Sequence, residues 1–136
     1  MASKIEAPEM VPLLVEASPG FAETWNQFQV EWAGEQLPPY YSALADFVRH
    51  MSHLMASGDE ATLLRIFSVI ERLHIEGTRY VREAATVGLL EDLQNMNLHD
   101  AGTSPKQFER FLLPVSARYW RKVEAFWAEG KLITDD

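Results

Sequence analysis

The sequence contains no cysteine, and it has no long hydrophobic run. Without cysteine, disulfide bonds and cysteine-ligated zinc sites are excluded. No stretch approaches the ~20 apolar residues that a membrane-spanning helix needs. The first ten residues, MASKIEAPEM, lack the apolar segment of a secretory signal. These absences predict a cytoplasmic protein without a membrane partner.

Lysine and arginine are missing from residues 5–48. The acidic residues of this stretch are Glu6, Glu9, Glu16, Glu23, Glu31, Glu35 and Asp46. The rest of the chain is nearly balanced in charge, and the formal net charge of the whole is −8. A negative field repels nucleic acid and attracts basic proteins, so we expect no nucleic-acid partner. Solubility alone would explain the same charge, and the alternative is an acidic surface for a protein partner.

Apolar residues recur at helical spacing through most of the chain, and no segment alternates apolar and polar residues as a strand does. The pattern predicts an all-α fold with six to seven helices. We expect one domain over residues 1–136, with flexible tails at 1–8 and 131–136. Short glycine-containing turns favour either a compact HEAT-like stack or an irregular helical bundle. The helices are expected over 9–16, 19–34, 40–56, 59–75, 78–95, 105–113 and 115–129.

Motifs of known chemistry are absent. The sequence has no nucleophile elbow and no phosphate-binding glycine loop, so we expect no catalytic residue, no cofactor and no enzyme. Asp46, His50 and His53 share a helical spacing that could supply three metal ligands, and Glu71 with His74 forms one Glu-x-x-His pair. The second such pair of a two-metal bundle is missing. We therefore expect no metal site, and we interpret these histidines as helix-surface residues.

Aromatic residues are abundant, with four tryptophans, four tyrosines and seven phenylalanines in 136 residues. Most are expected in the core, but several lie inside the acid-only stretch. Aromatic side chains rimmed by acids have the composition of a binding hot spot in a protein interface. The residues predicted to bind a partner are Glu23, Trp25, Glu31, Trp32, Glu35, Tyr40, Tyr41 and Asp46.

The segment 78–95, TRYVREAATVGLLEDLQN, is similar to the inner helix of a HEAT-type repeat, in which small residues let helices approach closely. Over about residues 47–127 the chain resembles a group of small, uncharacterised bacterial helical proteins. The matching positions are Gly58-Asp59, Phe67, Ile70-Glu71, Val81, Ala84, Leu90-Glu91-Asp92-Leu93, Asn95, Pro114, Ser116 and Tyr119-Trp120. Some proteins of that group resemble immunity proteins of polymorphic toxin systems.

The resemblance implies a cytoplasmic immunity protein that binds and neutralises a cognate toxin domain. The acidic stretch would attract a basic surface of that toxin. Two other functions remain open from the residues, a HEAT-like scaffold or adaptor and, less favoured, a metal-dependent helical enzyme. The oligomeric state is left open.

Overall fold

Helices account for most of the computed structural model, which describes residues 3–135. The α-helices are α1 Met10–Ala17, α2 Ala22–Glu31, α3 Tyr40–Ala56, α4 Glu60–Glu76, α5 Arg79–Glu83, α6 Glu91–Gln94 and α7 Pro114–Glu129. Ala84–Leu90 is a π-helical segment, and 3₁₀ turns cover Ala7–Glu9, Pro19–Phe21, Met96–Leu98 and Pro105–Phe111. No strand occurs between residues 3 and 135. The all-α prediction is confirmed, whereas the HEAT-like arrangement stays a prediction.

Local capping signals place the ends of the long helices. The Asp59 side chain accepts a hydrogen bond from the Thr62 backbone N–H at the start of α4. Thr78 accepts one in the same way at the start of α5. Both bonds satisfy donors that the first helical turn leaves without a partner. Pro114 occupies the first turn of α7, where no backbone N–H is needed.

Helix 79–94 is continuous, but its seven middle residues form a wider turn than an α-helix. The π-helical segment joins α5 to α6 with helical backbone angles at both junctions. Gly88 lies in this segment against α3, and a Cβ there would come within 2.8 Å of Leu44 Cδ1. The absence of a side chain at Gly88 therefore sets how closely α3 approaches helix 79–94. The sequence predicts the helix and does not predict its π-helical middle.

The core lies between four helical elements. Helix 79–94 packs against α3, α4 and α7, and α3 and α4 also pack on each other. The α1 helix packs on α4, while α2 contacts α1 and the turn that precedes α2. The largest fully buried side chains are Met10, Leu14, Leu44, Phe47, Met51, Leu63, Ile66, Phe67, Ile70, Leu73, Leu89 and Phe108. The α2 helix thus lies at the edge of the core.

Both expected tails contain residues that the fold ties down. Ile5 is buried, and it exchanges backbone hydrogen bonds with Glu76 (2.9 Å) and Thr78 (3.0 Å). At the other end Ile133 packs against the core, and Asp135 forms an ion pair with Arg82. Long-range contacts thus tie these positions to the fold, and the flexibility of the tails stays a prediction. Residues 1, 2 and 136 lie outside the described part of the chain.

Candidate functional site

Three of the four acidic residues predicted to bind a partner lie on the outside of α2 and of the connection that follows it. Glu23, Glu31 and Glu35 are all exposed. No lysine or arginine in residues 3–135 forms an ion pair with any of these three acids. Val30, which precedes Glu31, is 78% exposed, and Leu37, two positions after Glu35, is 68% exposed. We call the set Glu23, Val30, Glu31, Trp32, Glu35 and Leu37 the acidic α2 surface.

Beneath this surface the predicted aromatic anchors form a cluster around Phe28. The Trp25 and Phe28 rings stack at 5.3 Å, and Trp32 and Tyr40 each lie 6.4 Å from the Phe28 ring. Trp25 and Tyr40 are only 8% and 7% exposed, whereas Trp32 is half-buried. Trp25 and Tyr40 therefore belong to the core and support the surface from below. Of the predicted tryptophan and tyrosine anchors in this cluster, only Trp32 is accessible to a partner.

Tyr41 and Asp46 lie away from the α2 surface. Tyr41 points toward helix 79–94, where its ring makes an edge contact with Tyr80 at 6.1 Å. Burial and the nearby Glu83 carboxylate raise the pKa of Tyr41 to about 12. Asp46 forms an ion pair with Arg49 one turn later on α3, at 3.1 Å. The fold thus does not bring all eight predicted partner-binding residues into one site.

The histidines of α3 do not assemble a metal site. His50 Nε2 lies 2.7 Å from the Ser18 hydroxyl, and its ring contacts Phe21 and Phe47. Asp46 is engaged by Arg49 instead of by a histidine. In the described part of the chain, no group of three or more His, Asp or Glu side chains is placed to hold a metal ion.

The Glu71 carboxylate joins α4 to the start of α7. It accepts hydrogen bonds from the backbone N–H groups of Val115 (3.0 Å) and Ser116 (2.8 Å) and from the Ser116 hydroxyl (2.8 Å). Partial burial raises the pKa of Glu71, but these hydrogen bonds outweigh it and hold the pKa below its usual value. Glu71 of the Glu-x-x-His pair therefore caps the start of α7.

His74 continues this polar chain into the core. Its Nδ1 lies 3.1 Å from the Ser116 hydroxyl, and its Nε2 lies 3.1 Å from the hydroxyl of Thr86 in the π-helical segment. Because Ser116 donates its hydroxyl proton to Glu71, Nδ1 carries the proton in the neutral ring. The Thr86 hydroxyl also lies 3.2 Å from the Arg82 carbonyl oxygen, so its single proton is shared between that oxygen and Nε2. Burial lowers the pKa of His74 to about 4. The ring also stacks on Tyr119, with centroids 4.9 Å apart.

A pocket of about 420 Å³ lies between helix 79–94, α7 and residues 133–135. We call it the Arg82 pocket; Arg79, Arg82, Glu83, Thr86, Val87, Tyr119, Ile133, Thr134 and Asp135 line it. Its size is within the range of small-molecule sites. The pocket was not predictable from the sequence, because its walls come from residues 79–87, 119 and 133–135 and no local motif marks them.

The described chain has no helix that is both long and apolar enough to cross a membrane. Residues 11–128 match a protein family described as a domain of unknown function, DUF7674. Because the match covers most of the sequence, the chain belongs to this family. No curated protein and no solved structure matches it.

Proposed function

We propose that this member of the DUF7674 family is a protein-binding domain of the cytoplasm, an immunity protein that binds and neutralises a basic toxin domain. The observation that carries the proposal is the acidic α2 surface. Three exposed carboxylates, which form no ion pair with any residue from 3 to 135, lie there beside Val30, Trp32 and Leu37. Exposed apolar side chains within a charged rim are the composition of a protein interface.

The position of α2 supports this role. The helix packs on the body through α1 and the preceding turn, so its outer side is available along its length. Beneath it, the Phe28 ring stacks on Trp25 and contacts the half-buried Trp32 ring at a centroid distance of 6.4 Å. A surface held in place before binding loses little conformational entropy when the partner arrives.

Charge would act mainly on the rate of association. A one-signed acidic surface attracts a basic partner over distances of about a Debye length, ~8 Å at physiological salt. Binding would therefore be fast at low salt and slower as salt rises. Neutralisation would follow if the surface covers the active site of the toxin or the approach to it.

The first experiment identifies the partner. The tagged protein captures it from the native cytoplasm, a salt step elutes it, and mass spectrometry identifies it. The proposal predicts a stoichiometric basic protein whose own activity falls when the purified domain is added. A partner that stays fully active in the complex would contradict neutralisation and favour the scaffold or adaptor function. The absence of any protein partner at low salt would overturn the protein-binding role.

The surface itself is tested with Glu31→Lys combined with Glu35→Lys. At low salt this variant should associate with the captured partner about tenfold more slowly, while its melting temperature stays near that of the unmodified protein. The matched control is Glu124→Lys with Glu129→Lys on α7, which changes the net charge equally. Slowing by both variants to the same degree would show that net charge, and not the α2 surface, governs association.

A further inference from the structure

We propose that the Arg82 pocket is a binding site for a small organic carboxylate, and that Asp135 of the same chain fills it in the resting state. This site is separate from the acidic α2 surface and does not depend on the proposed function. The proposal rests on three features of the pocket: an arginine fork already engaged by a carboxylate, an aromatic wall held rigidly in place, and space beside them.

The Arg82 guanidinium holds Asp135 with the fork geometry that this group uses for carboxylates. Nη2 and Nε of Arg82 lie 2.7 Å and 3.2 Å from Asp135 Oδ2, and Nε lies 3.3 Å from Oδ1. The remaining Nη1 donates to the Gly77 carbonyl oxygen at 3.0 Å. That bond fixes the plane of the guanidinium, and the Arg82 side chain is only 25% exposed. The fork is therefore oriented before any ligand arrives.

Tyr119 supplies a second contact to the same carboxylate and forms a wall of the pocket. Its hydroxyl lies 3.4 Å from Asp135 Oδ1. The ring is 4% exposed and is held by the parallel stack on His74. Val87 and Ile133 line the pocket with it. A ligand with a carboxylate and a flat apolar body would thus meet both the fork and apolar walls.

Apart from Asp135, the charged residues that line the pocket are Arg79, Arg82 and Glu83, which carry a net charge of +1. The hydrogen bonds from Arg82, with a smaller contribution from the charge of Arg79, lower the pKa of Asp135. Lys122 Nζ lies 5.0 Å from the Tyr119 ring centroid. Glu83 is the acid of helix 79–94 that lines the pocket. Although the chain has a net charge of −8, these cations favour the binding of an anion in the Arg82 pocket.

Residues 133–135 contribute the intramolecular ligand. Asp135 is exposed, and it reaches the pocket from a segment that has no regular secondary structure. This contact competes with a free carboxylate for the same arginine. The apparent affinity for the free ligand is the intrinsic affinity multiplied by the fraction of molecules in which Asp135 has left the site. Since Asp135 itself is 42% exposed and lies in a segment without regular secondary structure, a free ligand can compete with it for the arginine fork.

The test is a titration of the folded domain with phenylacetate, followed by NMR of the backbone amides and of the Arg82 side chain. Phenylacetamide, which has nearly the same shape and no charge, is the control ligand. Phenylacetate should shift the signals of the pocket residues, and phenylacetamide should not. Equal shifts by both ligands, or shifts by neither, would overturn the assignment.

Variants of the chain separate the site from its internal ligand. Asp135→Ala with Asp136→Ala should tighten phenylacetate binding about threefold to tenfold. Adding Arg82→Ala to that variant should abolish binding. Asp100→Ala with Glu124→Ala removes the same charge elsewhere and should leave the affinity unchanged. Binding that is insensitive to Asp135, or that survives the loss of Arg82, would refute the proposal; thermal melting checks that each variant is folded.

Discussion

Replacing Glu71 by glutamine should destabilise the fold by about 2 kcal/mol at pH 7. The carboxylate accepts three hydrogen bonds at the start of α7, from Val115 N, Ser116 N and the Ser116 hydroxyl. A capping side chain contributes about 0.5–2 kcal/mol, and a negative charge at a helix N-terminus about 0.3–1 kcal/mol. Glutamine keeps the shape, but it loses the charge and turns an amide group toward one of the donors.

The assay is urea denaturation, in which a loss of about 2 kcal/mol moves the midpoint by roughly 1 M for a domain of this size. The matched control is Glu76→Gln on the same helix. That carboxylate is exposed, and among residues 3–135 it pairs only with Arg72, so its replacement should move the midpoint much less. If the urea midpoint of Glu71→Gln differs from that of the unmodified protein by no more than the midpoint of Glu76→Gln does, the capping role is refuted.

The pH dependence of the Glu71 contribution provides a second check. The folded pKa of Glu71 lies below its ordinary value of 4.5, so the unfolded chain takes up the proton first as pH falls. The contribution of this carboxylate is therefore complete above about pH 4.5 and is lost as pH falls through the folded pKa. The gap in unfolding free energy between the unmodified protein and Glu71→Gln should close in that range. A gap that stays constant with pH would show that charge is not involved.

Two further predictions concern the interior. Gly88→Ala should destabilise the fold by about 1–3 kcal/mol in the same assay, because its Cβ would crowd Leu44 and Tyr41; Gly20→Ala, whose nearest neighbour is 3.4 Å away, is the control and should be tolerated. The His74 ring should stay neutral at about pH 5.5 by NMR, because burial lowers its pKa to about 4, and the stability it provides should be lost between about pH 6.5 and pH 4. Protonation of the ring near pH 6.5 would contradict the buried network.

Features that depend on neighbouring residues were predictable from the sequence. Asp59, Thr78 and Pro114 mark the starts of three helices through caps and a first-turn proline, and the predicted limits of α3 agree with the structure. The predicted end of α2 was wrong by three residues, since Trp32 closes the last turn and residues up to Gly34 form turns instead.

Features that depend on distant residues were not predictable. Nothing in the helical pattern of residues 78–95 distinguishes a π-helical segment from an α-helix, because the wider turn depends on the packing of α3 and α7. Trp25 and Trp32 both follow the helical stripe, yet one is buried and the other half-buried. The contact of Asp135 with Arg82 joins residues 53 positions apart. Charge alone indicated the acidic α2 surface, since an exposed acidic stretch needs no tertiary contact to be recognised.

The two proposed surfaces carry opposite charge and share no residue. The acidic α2 surface lies at the edge of the core, while the Arg82 pocket is formed by helix 79–94 and α7. Mutations without shared partners usually act additively. Reversal of Glu31 and Glu35 should therefore leave phenylacetate affinity unchanged, and the loss of Arg82 should leave partner association unchanged. A change in either cross-measurement would mean that the two surfaces communicate through α3 and α4, the helices that lie between them in the chain.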